Sequence, residues 1–252
     1  MSLYESKTRI TYYDLDFRGK IKLSALLRMV HIAADVNANQ LGIGFSVLHP
    51  LNISFILQRF SVSITRMPAY DEDVTIRTWP ASIARGTFIR KGDMIDASGE
   101  KVMEWASLWI LFDIAARKIL KPSALPAAFE SLGDLGVTTE PQKIDLPKDF
   151  DFGKPISSYI HTVRYSEVDT NMHMNNSIYG DLVGNAMHLV QENAHSQDWK
   201  SVHINYQGET RLDEQIDISN YKLNDSNLII GQAPGRTSFT AKINEATSEN
   251  PS

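Results

Sequence analysis

Tyr165-Ser166-Glu167-Val168-Asp169-Thr170-Asn171-Met172-His173-Met174-Asn175-Asn176 crowds two carboxylates, three asparagines and an imidazole into twelve residues. Asp169, Asn171 and His173 sit two apart. An extended backbone would send those three to one face and Met172 and Met174 to the other, into apolar surroundings. Asn175, Asn176 or Ser177 can each cap a helix. The run that follows has apolar residues at 178, 179, 182, 183, 186, 187 and 190, which is helical spacing. The pattern predicts a strand at His161–Tyr165 and a helix at Asn176–Gln191. The polar cluster would then lie at the mouth of a buried helix, where unpaired N–H groups favour negative charge. Such a place can polarise a carbonyl.

The same opening stands earlier in the chain. Tyr12-Tyr13-Asp14-Leu15-Asp16 matches Tyr165-Ser166-Glu167-Val168-Asp169 at an offset of 153 residues. Ile64-Thr65-Arg66 matches Glu209-Thr210-Arg211 at 145, and the run at 70–76 matches 212–218 at 142. A falling offset means a shorter second copy. The copies differ where chemistry would be: Arg18 stands opposite Asn171, Lys20 opposite His173 and Ile64 opposite Glu209. A catalytic half, if there is one, is the second.

Around these anchors the first half reads as a short strand within 7–17, a polar turn at Arg18-Gly19-Lys20 and a helix from Leu23 to Gln40. That helix repeats Leu26, Leu27, Val30, Ala33 and Ala34 and stops at Gly42. Strands follow at Ser54–Ile64, Asp73–Trp79, Thr87–Asp96 and Lys101–Asp113, with Trp79-Pro80 read as a break. The second half repeats the order, with strands at Ser201–Arg211, Gln215–Leu223, Asn227–Gln232 and Arg236–Asn244 after its helix. Between the halves, Pro122, Pro126, Pro141, Pro147 and Pro155 with Gly133, Gly136 and Gly153 mark a linker. The predicted fold class is α+β: two copies of one unit, each an antiparallel sheet wrapped around a long helix. The predicted domains are 1–130, 131–155 as linker, and 156–252.

Composition narrows the function. The 252 residues are 42% hydrophobic and contain no cysteine, which removes thiol nucleophiles, thiolate metal sites and disulfides. A net charge of −5 argues against a nucleic-acid partner. No apolar run spans a bilayer and the first residues lack a signal-peptide core, so a cytoplasmic location is expected. Gly42-Ile43-Gly44-Phe45-Ser46 fails both as a dinucleotide fingerprint and as a nucleophile elbow. The seven histidines include no metal-binding pair, so neither metal nor cofactor is expected. On spacing alone Asp169, Asn171 and Asn175 read equally as turn and cap formers, His173 as a structural hydrogen-bonder and Glu209 as a solvated strand residue.

The run from Ser166 to Tyr179 resembles the S-E-x-D-x-N-x-H-x-N-N-x-x-Y signature of acyl-ACP thioesterases. Tyr206-Gln207-Gly208-Glu209-Thr210 is similar to that family's second block, with Thr210 where plant members carry cysteine. The resemblance implies tandem hotdog domains, an N-terminal one shaping the acyl pocket and a C-terminal one carrying catalysis. It puts the catalytic roles on Asp169, Asn171, His173 and Glu209. Asn175, Asn176 and Thr210 become candidates for binding substrate. Met29 and Ala33 on the first helix, with Phe55, Phe60 and Phe88, are candidate walls for the acyl chain. The expected reaction is hydrolysis of fatty acyl-ACP by an activated water, the oxyanion held at the N-terminus of the second helix. Glu209 or Asp169 would be the general base, and direct attack by Asp169 is the competing route. Arg85, Arg90 and Lys91, and Arg117, Lys118 and Lys121, are candidate contacts for the acidic carrier protein. An acyl-CoA thioesterase, a hydratase and an acyl-thioester binding module are the alternatives. Exposed sheet edges leave room for a homodimer.

Overall fold

The computed structural model describes residues 3–146, 153–189 and 199–245. The chain divides into two compact units, residues 1–13 with 28–142 and residues 14–27 with 143–252.

In the first unit the antiparallel strands are β1 (Tyr4–Arg9), β2 (Ile53–Ile64), β3 (Asp73–Ala84), β4 (Thr87–Asp96) and β5 (Lys101–Asp113). They lie in the order β1-β3-β4-β5-β2, and the short β6 (Lys118–Leu120) pairs with β5. Helix α1 spans Leu23–Gln40 as its periodicity predicts. It ends in a Schellman arrangement: Ile43 N–H donates to the Ala38 carbonyl and Gly42 N–H to that of Asn39. Gly42 takes φ +71°, which a side chain would strain. A single turn, α2 (Phe45–Leu48), follows. β3 does not break at Pro80. It continues to Ala84 past a bulge between Pro80 and Ser82. β1 reaches only Thr78, so beyond it β3 is free of that neighbour, and an edge position tolerates the missing N–H.

The predicted linker, up to Gln142, is packed against this sheet. Trp79 Nε1 donates to the Gly133 carbonyl at 2.8 Å, and Val137 is buried with Trp79 and Ala81. Glu104 accepts four bonds from the amides and hydroxyls of Thr138 and Thr139. Burial opposes its charge, but Lys101 and those four bonds outweigh burial and hold Glu104 down to about 2. Proline and glycine deny the segment a strand ladder, and side chains meet its polar atoms instead. Pro147 lies outside the described residues.

The second unit repeats the plan. Strands β7 (Ser157–Thr162), β8 (Trp199–Tyr206), β9 (Gln215–Leu223), β10 (Ser226–Ala233) and β11 (Arg236–Glu245) run in the order β7-β9-β10-β11-β8. This is the first unit's order strand for strand. Helix α3 (Ile178–His188) buries Tyr179, Leu182, Val183, Ala186 and Met187. Tyr159 Oη and Ser157 Oγ on β7 donate to the Leu182 and Ala186 carbonyls at 2.8 and 3.1 Å. The predicted tail of this helix, Val190–Gln191, lies outside the described residues. Gly180 lets α3 touch residues 23–24, which begin α1 and belong to this second unit, since a Cβ there would sit 2.5 Å from the Ser24 nitrogen. Ser24 Oγ donates to Asp181 beside it. Each unit is thus the predicted hotdog, an antiparallel sheet with one long helix.

The later register of the repeat differs from the sequence match. Thr65 and Arg66 both donate to the Val102 carbonyl, as Gln207 and Gly208 both donate to that of Ser238. Asp71 and Asp213 share a left-handed φ, +64° and +65°. These pairs are 142 apart throughout, so Glu209 stands opposite Met67 and not Ile64. The partner is apolar either way.

Candidate active site

The stretch at 165–177 is not one extended strand. Tyr165–Glu167 form a 3-10 turn, after which Val168 bridges to Met174 and the chain between them folds over. Asp169 N–H donates to the His173 carbonyl at 3.1 Å, and Met172 N–H to the Asp169 carbonyl at 3.0 Å. Met172 takes φ +64° and is 75% exposed, whereas Met174 is buried. The expectation that both methionines face the interior therefore fails for Met172. Asp, Thr and Asn prefer turns, and here local hydrogen bonding wins over alternation.

The turn sorts the candidate residues by what their polar atoms already hold. Asp169 Oδ1 accepts the Asn171 N–H at 2.8 Å, and its Oδ2 accepts the Asn175 amide at 3.2 Å. Asn175 Oδ1 accepts both the N–H and the hydroxyl of Ser177, at 2.9 and 2.7 Å. Asn176 offers its carbonyl to Tyr206 Oη at 3.3 Å. Asn171 is exposed, and among the described residues its side-chain amide has no protein partner. His173 is half-buried; its Nδ1 lies 3.4 Å from the Met174 carbonyl and its Nε2 has no partner among the described residues. Two polar side chains thus keep an uncommitted group beside a carboxylate whose oxygens each already accept one bond.

One backbone bond joins the second sequence block to this turn. Met174 N–H donates to the Thr210 carbonyl at 2.7 Å, one residue from His173 and one from Glu209. The Glu209 carboxylate is 42% exposed and 3.6 Å from Arg211. Its backbone is pinned from behind, because Arg236 donates to the Glu209 carbonyl from Nη2 at 2.6 Å and to Glu214 at 2.6 Å. Thr210 is buried, with its hydroxyl 2.7 Å from Ser238 Oγ and 3.3 Å from Tyr179 Oη. Tyr179 packs edge-on against Tyr206 and Phe239, both at 5.2 Å. The bracing by Arg236 and Ser238 is absent from the sequence reading. Both lie on β11, 27 and 28 residues from their partners Glu209 and Thr210, and no local motif marks them.

The first turns of α3 use their own N–H groups. Ile178 donates to the Asn175 carbonyl and Gly180 to that of Ser177, both at 3.0 Å. The predicted helix mouth therefore keeps fewer free amides than expected, and Asn171 and His173 are the donors left open. In the first unit Met29 is half-buried and Ala33 buried on α1. Phe88 meets Phe55 and Phe129 edge-on, each at 5.1 Å. Arg90 and Lys91 are buried, which removes them as carrier contacts; Arg85, Arg117, Lys118 and Lys121 are exposed. Among the described residues no group of three or more His, Cys, Asp or Glu is placed to hold a metal ion. No helix among them is long and apolar enough to cross a membrane.

Comparison with known proteins agrees with this architecture over nearly the whole chain. No curated sequence is similar enough to count as a match. Among solved structures, an acyl-ACP thioesterase of Bacteroides thetaiotaomicron superposes with a TM-score of 0.79 at 19% identity, covering 97% of this chain and 98% of its own. A 12:0-ACP thioesterase of Umbellularia californica gives 0.78 at 16% identity, covering 97% of each chain. A Lactobacillus plantarum protein described as an oleoyl thioesterase gives 0.78 at 23% identity, covering 98% of this chain and 96% of its own. At these identities the likeness is one of fold. The sequence models of the acyl-ACP thioesterase N-terminal and C-terminal domains match residues 1–123 and 154–247, and the chain belongs to that family of thioester hydrolases.

Proposed function

We propose that this protein hydrolyses fatty acyl-ACP to free fatty acid and ACP, with the chemistry in the second unit. The observation that carries the reading is the Met174–Thr210 backbone bond of 2.7 Å, which ties the segment carrying Glu209 to the turn carrying His173, where Asn171 keeps a free amide. Glu209 is the general base. Its carboxylate takes a proton from water, and the hydroxide adds to the thioester carbonyl carbon. Asn171 and His173 donate to the developing oxyanion. The C–S bond then breaks, the acyl group leaves as the fatty acid, and the thiolate takes the proton back. Asp169 acts through its neighbours, because both its oxygens already hold Asn171 and Asn175. Those commitments favour attack by water over attack by the Asp169 carboxylate.

The acyl chain lies in the first unit, against Met29 and Ala33 of α1 and the Phe55–Phe88–Phe129 aromatic set. The carrier protein docks on the exposed cations Arg85, Arg117, Lys118 and Lys121. Phe88 pairs with Trp109 and Asp113 with Lys118, so these turns leave the sheet at one end. Charge there speeds encounter with an acidic partner and loses effect with salt. The test is thiol release from acyl-ACP and acyl-CoA over a ladder of chain lengths, with the acid identified by mass. Turnover that prefers ACP supports the reading. Preference for CoA, or a hydrated acyl thioester as product, contradicts it.

A further inference from the structure

The two units close the same turn with the same glutamate but bring its arginine from different places. In the first unit Glu72 accepts the Ala69 N–H at 2.7 Å, and in the second Glu214 accepts the Arg211 N–H at 2.9 Å. Both pairs keep the spacing of 142 that relates Thr65 to Gln207. The first unit's cation is Arg66, six residues before its glutamate. Its Nη1 and Nη2 donate to Glu72 at 3.0 and 2.6 Å, and Nη2 also reaches Asp96 at 2.8 Å. The equivalent of Arg66 is Gly208, which has no side chain to offer. Glu214 faces Arg236 instead, at the start of β11.

Arg236 has no counterpart of its own charge in the first unit. Val102 and Ser238, whose carbonyls take the paired N–H bonds, align β5 with β11. Two places earlier stand Glu100 and Arg236, so the charge is reversed there. Arg66 spends its guanidinium on carboxylates. Arg236 donates from Nη2 to Glu214 at 2.6 Å and to the Glu209 carbonyl at 2.6 Å, and from Nε to that same carbonyl at 3.2 Å. A Cβ on Gly208 would lie 3.2 Å from Arg236 Cδ and 3.1 Å from the Thr237 carbonyl, so the glycine makes room for this crossing. Glu209 is thus held through its own carbonyl by β11, and through the carbonyl of Thr210 by the turn that carries His173. The Glu209 carboxylate is 42% exposed, and Arg211 at 3.6 Å is too far for a hydrogen bond, so the backbone must aim it. The first unit has Met67 at this place and nothing to aim.

We propose that Arg236 is a positioning residue for the general base: by gripping the Glu209 carbonyl it sets the aim of the carboxylate, and Gly208 is what lets it reach. The inference rests on the thioesterase reading with Glu209 as base. Arg236 itself touches no reacting atom. Misplacing a catalytic group by about 1 Å can cost on the order of a hundredfold in rate, so a brace on the backbone is enough to matter.

The experiment is a double-mutant cycle on long-chain acyl-ACP hydrolysis by the full chain, with Arg236→Met, Glu209→Gln and both together. Arg66→Met, which removes the first unit's arginine, is the control. Arg236→Met should lower kcat by about tenfold to a hundredfold and leave KM within about twofold. In the Glu209→Gln background the same change should cost nothing further, because no base is left to aim. Arg66→Met should lower Tm and leave kcat and KM at their wild-type values. Full kcat in folded Arg236→Met overturns the inference and leaves the thioesterase reading intact. Equal losses from Arg236→Met in both backgrounds overturn it too, since the arginine would then act on folding alone. So does an equal loss of kcat in Arg66→Met. If Arg236→Met does not fold, Arg236→Lys takes its place in the cycle with the same outcomes; lysine keeps a charge facing Glu214 and gives up the two-nitrogen contact with the Glu209 carbonyl. Full turnover in Glu209→Gln refutes the base assignment, and no thiol release by the wild type refutes the thioesterase reading; the inference falls with either.

Discussion

The turn at 16–20 and the turn at 169–173 share a backbone and differ in what their side chains leave free. Asp16 N–H donates to the Lys20 carbonyl at 2.8 Å, as Asp169 N–H does to that of His173 at 3.1 Å. Leu15 bridges to Ile21 as Val168 bridges to Met174. Gly19 takes φ +75° where Met172 takes +64°. Each aspartate accepts the N–H two residues on, at 2.9 Å from Arg18 and 2.8 Å from Asn171. In the first turn the Arg18 guanidinium then closes on Asp16 at 2.8 and 3.0 Å. In the second, Asp169 turns its other oxygen to Asn175, and Asn171 keeps an open amide. The scaffold is therefore common to both turns, and an aspartate at this position does not by itself mean catalysis. On the proposed mechanism Asn171, His173 and Glu209 make the difference.

The largest effects should separate the two turns by rate. His173→Ala or Glu209→Ala should lower kcat by about a hundredfold to ten-thousandfold, the range for a positioned proton-transfer group. Lys20→Ala, at the position equivalent to His173, should leave thioester turnover where it is. Equal losses from the two turns would show that the rate reports folding alone.

Next, Asp16→Ala should destabilise by about 1–3 kcal/mol in urea unfolding, because the Arg18 and Lys20 amides lose their acceptor. Asp169→Ala should combine a similar stability loss with loss of activity. A fully stable, inactive Asp169→Ala would mean that the aspartate has no scaffold role in the second turn.

Each unit also hides one neutral imidazole, which links the two in their response to acid. Burial pushes His31 down to about 4, and burial with a smaller push from Lys242 brings His203 to about 4. The unfolded chain binds these protons near the ordinary value of 6.5, so it holds more protons than the native state between 6.5 and about 4. Stability must fall as pH falls through that window. Thermal melts should show Tm dropping there, and His203→Gln should flatten part of the slope. A Tm that rises with acid over the window would contradict both burials.

The smallest effects concern the left-handed residue. Gly19→Ala, which meets open space but keeps φ +75°, should cost about 1 kcal/mol. Met172→Gly should be neutral or gain up to about 1 kcal/mol, as relief of strain is set against backbone entropy. Calorimetry on the pair reads both.

Much of this was legible in the chain itself. Helix α1 and strands such as Thr87–Asp96 and Gln215–Leu223 follow from periodicity and punctuation, because each presents one apolar face to a single core. The tandem repeat was visible because the Tyr-x-x-x-Asp openings both build the same turn. What escaped came from non-local bonds. The linker lies down on the first sheet because Glu104 and Lys91 satisfy it. Arg90 and Lys91 read as surface charges in the sequence, but both are buried by partners distant along the chain. The alternation of Asp169, Asn171 and His173 suggested a strand face, but the three come together through a turn. The bracing by Arg236 and Ser238 has no signature near residue 209 at all.

The most direct test is single-turnover thiol release from long-chain acyl-ACP by wild type, His173→Ala, Glu209→Ala and Lys20→Ala, each first shown to be folded. Rapid release by wild type and Lys20→Ala, with both second-turn variants slowed at least about a hundredfold, is the predicted result. Release that survives in His173→Ala and Glu209→Ala would contradict it and put the chemistry outside this turn.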